Sequence, residues 1–306
     1  MSGHPDPAAL SNQPGRHLDV SNRKDTKEIV DDFVGQLKAD LRNNGIQIPT
    51  LPDVSLQALF TMNREDSSID DVTAVVARDT AMAARLVRYA NSPAYRGLNR
   101  CATIKAAITR LGLQKTKHIL LTMSMKEVFN TGHRSIRHRI EGLWEHSMEV
   151  AALSMLISLR HRHLDGEVAL LAGLVHDVGV VPILNKAKDV EEIVNNDEQL
   201  GVIIASLHCA VGKAVLKAWN FEDEVVAVAA EHENLKRDPG DDVPVDYVDV
   251  VQAANIESYQ ATRHRLARVN RLHVPAYRRL GFTAEDPDLH WDRSKKGMEQ
   301  VSGIFL

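Results

Sequence analysis

Of the 306 residues only two are cysteine, Cys101 and Cys209, far apart and in no CxxC pairing. That scarcity argues against a disulfide framework and for a reducing compartment. An excess of positive charge is also missing, since 37 Lys and Arg face 41 Asp and Glu for a net charge of −4. Such a chain has no global field to draw it to nucleic acid or an anionic bilayer, and it carries no nucleic-acid-binding motif. The N-terminal stretch MSGHPDPAALSNQPGRH has no apolar core of signal-peptide length. The longest apolar runs, such as Val168–Val175, are too short to span a bilayer. Period-two alternation and internal repeats are absent too. These gaps leave an all-α, unanchored, cytoplasmic protein as the expectation.

What is present is helical periodicity. Residues 1–24 are rich in Pro, Ser, Gly and Asn and read as a disordered arm. Then TKEIVDDFVGQLKADL sets Ile29, Phe33 and Leu37 on one face. Ser68 with Asp71 forms a capping box, Thr80 and Thr103 are candidate caps, and Gly112 is a stop. Residues 25–130 form a first helical half and 131–306 a second, ending in a helical tail. In that second half DGEVALLAGLVHDVG reads as a buried helix ended by Gly179 and Pro182, and VDYVDVVQAANIESYQATRHRLARV as one long helix.

Four histidines occupy separate helices of the second half: His146 in WEHSMEV, His176 in VHDVG, His208 in SLHCAVGKA and His232 in AEHEN. A buried histidine commonly just hydrogen-bonds a carbonyl. Four of them, one followed by Asp177, also suit a divalent transition metal such as Fe, Mn or Zn, because a bundle builds such sites from ligands on facing helices. Gly212, one turn after His208, allows a neighbour to approach closely. Cys209 beside His208 is either a thiol ligand or an inert buried cysteine, the latter being the commoner fate.

The segments LPDVSLQALFTM, VARDTAMAARLVRYANSPAYRG and TIKAAITRLGLQKTKHILL resemble the first half of the HDOD domain, a bacterial regulatory module related to the HD superfamily. Asp79, Asn91, Ser92, Tyr95, Leu111 and Gly112 are the positions most like its pattern. LWEHSMEVAAL, LAGLVHDVGVVPIL, LHCAVGKAVLKAWNF and VAVAAEHEN are similar to its second half, so the resemblance spans roughly residues 45–280. It implies an N-terminal helical bundle packed on an HD-like bundle. HD enzymes are metal-dependent phosphohydrolases with an H…HD…D signature, and their HD-GYP relatives cleave cyclic dinucleotides with extra histidines. Carried over, His146 matches the first ligand, His176 and Asp177 the HD pair, and His208 and His232 two HD-GYP-type histidines.

Three departures bear on function. Asn255 stands where the last metal-binding Asp falls, Val180 where many HD-GYP enzymes have lysine, and the GYP segment is missing, with Glu231 at a histidine position. A carboxylate about 4 Å from a divalent ion is worth on the order of 8 kcal/mol before desolvation at an effective dielectric of 20. Asparagine forfeits that charge, leaving Asp177, with Glu231, to supply it. The resemblance therefore implies a non-catalytic or weakly catalytic regulator that binds a signalling protein or a small nucleotide, with homo-oligomer formation open. The alternative is a metal-dependent phosphohydrolase acting on a nucleotide or cyclic dinucleotide, and a third reading is a purely structural metal. Arg134 and Arg137 in GHRSIRHRIEG and Arg268 in ATRHRLARVNR are candidate phosphate contacts, or else solvated helix faces.

Overall fold

The computed structural model describes residues 26–260, 262 and 264–282. The arm expected at 1–24 and the tail after Phe282 lie outside the described residues. The apolar stripe of the first segment becomes α1 (Thr26–Arg42), with Phe33 and Leu37 buried. It leads into α2 (Asp53–Met62), α3 (Ile69–Val76), α4 (Thr80–Ala90), α5 (Ile104–Leu111) and α6 (Leu113–Val128). The Ser68–Asp71 box opens α3, and Thr103 caps α5. Gly112, at φ 79°, breaks the chain between α5 and α6. The cap of α4 is Asp79 and not Thr80, because the Asp79 carboxylate accepts from the backbone N–H of Ala81 and Met82. Asn91 closes α4 by donating to the carbonyls of Val87 and Cys101 and accepting from the Cys101 N–H.

The second half runs α7 (Arg134–Ser158), α8 (Gly166–Val175), α9 (Val180–Ala187), α10 (Glu191–Val194), α11 (Asp197–Ala218), α12 (Asp223–Glu231), α13 (Tyr247–Ser258) and α14 (Pro275–Arg279). Among the described residues there is no strand, as expected of an all-α fold. Every residue of α8 after Gly166 is buried, and α6, α7, α12 and α13 pack around it. Each fully buried Leu or Val there contributes about 1.5–3 kcal/mol, so α8 is the central rod of the bundle. Two stretches, Gly166–Ala187 and Asp197–Ala218, are long and apolar enough to cross a membrane, against the reading that every apolar run is too short. The first lies almost wholly inside this core, which accounts for its apolarity without a bilayer.

Two sequence expectations fail locally. The α8 helix stops at Val175, four residues before Gly179, and Pro182 sits in the first turn of α9, where its missing N–H costs nothing. The long helix expected from Val245 onward ends at Ser258. The chain continues through 3-10 helices Arg265–Arg268 and Arg271–His273, opened by His264 and Asn270 side chains that accept from the N–H of Leu266 and Leu272. Those local acceptors compete with a continuous helix.

The halves are joined by polar contacts at several points. Lys115 Nζ donates to Asp165 (2.9 Å) and Glu167 (2.7 Å), and Lys186 Nζ to Asp40 (2.7 Å). Lys117 Nζ, which also bonds Asn63 within the first half (2.9 Å), donates across to Glu222 (2.5 Å). The Trp219 indole N–H donates to the Pro49 carbonyl at 3.0 Å.

Candidate metal centre

The end of α8 sets the first two groups. His176 is its C-cap residue in αR geometry, and residues 176–179 form a tight turn into α9. The turn can lie against α11 only because position 179 is glycine. A Cβ there would stand 2.1 Å from the His208 carbonyl oxygen and 2.4 Å from the Gly212 nitrogen. The close neighbour expected at Gly212 is therefore the Gly179 backbone, and the crossing brings His208, in the middle of α11, over Asp177. His232 caps the C-terminus of α12, and His146 faces in from α7.

Four imidazoles thus surround one carboxylate. Asp177 Oδ1 is 3.3 Å from His208 Nε2 and 3.2 Å from His232 Nε2. Its Oδ2 is 3.4 Å from His176 Nε2 and 3.9 Å from His146 Nε2. All five residues singled out in the sequence are brought together.

The tautomers follow from the backbone. A carbonyl can only accept, so Nδ1 of His176 donates to Gly173 O (2.7 Å), Nδ1 of His208 to Ile204 O (2.7 Å) and Nδ1 of His232 to Val228 O (3.1 Å). Each neutral ring then turns an Nε2 lone pair into the cavity. His208 Nε2 and His232 Nε2 stand 3.2 Å apart, close enough that a shared cation or proton must lie between them or beside them. His176 Nε2 and Asn255 Oδ1 are buried acceptors with no hydrogen-bond partner. The C-termini of α8 and α12, where helix dipoles are negative, both end here and favour positive charge.

The rings titrate in different directions. Burial pushes His176 down to about 3, with the Asp177 charge opposing, and burial lowers His146 as well. Burial would raise Asp177, but His176, His232 and His208 around it hold it well below the usual carboxylate range. His232 goes the other way: burial lowers it, the Asp177 carboxylate outweighs burial, and the ring is left above its ordinary value. Burial, with the Glu233 and Asp177 charges, pushes the Cys209 thiol up to about 12.

A four-coordinate divalent ion with ligands at 2.0–2.1 Å needs donor-to-donor edges of about 3.3 Å. The Asp177, His208 and His232 edges of 3.2–3.3 Å meet that requirement. The residues present fit a metal on this observation and on the unpaired acceptors. His146, His176 and Asp177 form one candidate group, and His208, Cys209 and His232 a second, with Asp177 between them.

Other expectations are corrected. Glu231 does not turn to the histidines, because Arg237 Nε holds it at 2.8 Å. The carboxylate nearby is Glu233, paired with Arg265. Since α12 ends at Glu231, the residue after His232, not the one before, folds back toward the centre. Arg134 and Arg137 are exposed in the first turn of α7. They lie 12 and 9 residues before His146, about 18 and 14 Å along the helix, and so stand away from the cluster. Arg268 is exposed at the end of a 3-10 helix. Sequence reasoning missed Tyr259, whose ring stacks on His146 at 4.6 Å and on His264 at 3.7 Å, with its hydroxyl 3.4 Å from His146 Nε2. No local pattern marks it, because its position depends on α13 ending one residue earlier.

A family model, the HDOD domain, matches residues 48–235. The crystal structure of a candidate metal-dependent phosphohydrolase from Shewanella amazonensis SB2B is 26% identical, with TM-score 0.74 over 90% of this chain and 99% of that one. An HDOD domain protein of unknown function from Geobacter sulfurreducens is 24% identical, with TM-score 0.58 over 90% of this chain and 99% of its own, a likeness of fold. An uncharacterized protein of Treponema pallidum (strain Nichols) is 23% identical over 235 residues, 72% of this chain. The chain spans 44% of that protein's length.

Proposed function

The chain belongs to the HDOD family, and from that premise we propose that it is a metal-binding signal-transduction module of HD type that acts by binding and not by turnover. The observation that carries this reading is the convergence of four Nε2 atoms on the Asp177 carboxylate. His146, His176, Asp177, His208 and His232 would hold Fe, Mn or Zn. Such an ion supplies Lewis acidity and acidifies a bound water.

Two features argue against efficient phosphodiester cleavage. Among the described residues Asp177 is the carboxylate on which the histidines converge, Glu233 being paired with Arg265, and Asn255 has a neutral oxygen where the HD signature has its last Asp. Val180 is 6% exposed and supplies no cation to steady phosphate oxygens. The module would act in the cytoplasm by engaging a signalling protein or a small nucleotide.

The test is elemental analysis of protein purified anaerobically, with His176→Ala alongside. We expect metal stoichiometric with the chain and lost in the variant. Folded protein of both kinds without metal would overturn the reading. A second reading, a metal-dependent phosphohydrolase, draws support from the partial exposure of His146 (14%) and Asp177 (16%), which leaves one side of the centre reachable. Asn255→Asp separates the two: on the binding reading the parent is inert toward cyclic dinucleotides and the variant gains hydrolysis. Turnover by the parent would favour the second reading.

A further inference from the structure

Beyond the HD-type set, the cavity holds a sulfur. Cys209 Sγ is 3.4 Å from His208 Nε2, and Sγ and both Nε2 atoms of His208 and His232 lie within 4.8 Å of one another. A metal with nitrogen at about 2.0–2.1 Å and thiolate sulfur at about 2.3 Å needs an N···S edge of about 3.5 Å. The sulfur therefore stands one such edge from His208 Nε2, beside the triangle of 3.2–3.3 Å edges that Asp177 Oδ1, His208 and His232 form. Those histidines are 4% and 0% exposed, and their Nε2 atoms converge on the sulfur and the Asp177 carboxylate rather than on water.

We propose that Cys209 is a metal ligand, completing a His208–His232–Asp177–Cys209 site that takes a thiophilic divalent ion such as zinc, cobalt or ferrous iron. The inference rests on the metal-binding reading above and deepens it by naming the class of ion. On binding, the S–H bond breaks, the proton leaves to solvent, a metal–sulfur bond forms, and the metal stays divalent. Thiolate favours the softer ions over manganese or magnesium. The other edge of Asp177 is lined by His146, His176 and Asn255, nitrogen and oxygen donors only. The two sides of the carboxylate thus differ in the metal they prefer.

The experiment is titration of chelator-stripped, full-length protein with cobalt(II), followed by absorption. The expected result is a thiolate-to-cobalt charge-transfer band in the near ultraviolet together with visible ligand-field bands. Cys209→Ser should abolish the first, keep the second, and weaken zinc binding by more than roughly tenfold while leaving manganese binding little changed. Cys101, whose thiol donates to the Ala106 carbonyl, is the control, and Cys101→Ser should keep the band. If Cys209→Ser does not fold, the wild-type spectrum decides alone. Ligand-field bands without a thiolate band would overturn the proposal and leave the metal-binding reading standing. No cobalt uptake at all would overturn both.

Discussion

At the scale of single residues, the centre is set by what each histidine does with its other nitrogen. Carbonyls one turn back take the Nδ1 protons of His176, His208 and His232, so ring orientation is fixed before any ion arrives. The five ligand candidates were legible in the sequence because each follows an apolar helix pattern and one is paired with Asp. That Cys209 shares the cavity with His208 was not legible, because neighbours on a helix point about 100° apart and spacing alone does not show that both reach one place. Glu231 was taken for Glu233 because the end of α12 was not readable to the residue. Gly179 is the residue on which the arrangement depends most sharply. Gly179→Ala should cost about 3 kcal/mol or more and lower metal content, since the added methyl would overlap the α11 backbone. Gly201→Ala, on the exposed side of the same helix with open space at its Cβ, should instead stabilise by roughly 0.5–1 kcal/mol. Denaturant unfolding of both variants checks the pair, and equal effects would deny the crossing its role.

For helices, type and approximate extent were readable, whereas ends governed by local side-chain acceptors were not. Asp79 takes over from Thr80, and His264 and Asn270 cut a continuous helix into 3-10 turns. Contacts between helices carry their own pH dependence. Glu222, just before α12, meets Lys117 and His118 of α6. The His118 hydrogen bond, with Lys117 and against burial, holds its carboxyl at about 2, below the usual 4.5. A carboxylate so depressed adds stability above pH 4.5 that is lost as pH falls toward 2, because the unfolded chain takes up the proton first. With partial exposure discounted, the loss is on the order of 1–2 kcal/mol. Unfolding free energies measured down this range should fall more steeply for the wild type than for Glu222→Gln. Parallel curves would show that the ion pair does not couple α6 to α12.

For the whole molecule, the all-α architecture was legible because apolar residues recur with helical period from α1 to α13. The sequence did not show that α11 touches both the centre and the N-terminal half, since that contact joins residues far apart in the chain. A ligand bound only by the folded state stabilises by about 2.7 kcal/mol at a hundredfold excess over its Kd. Zinc should therefore raise Tm by roughly 5–10 °C, reversibly with a chelator, and the rise should vanish in Asp177→Asn. An unchanged Tm with metal bound would mean that the unfolded chain holds it equally well. The placement of α11 has a mechanical side. Its 22 residues form a rod about 33 Å long, with His208 near the middle. Val202 and Ile203 share a groove with Val30 and Val34 of α1 toward one end, and Trp219, just past the other, is tied to Pro49. A stiff rod does not absorb a displacement at its midpoint. It works as a pointer, so a fraction of an ångström gained or lost at His208 is delivered to two separate places on the N-terminal half.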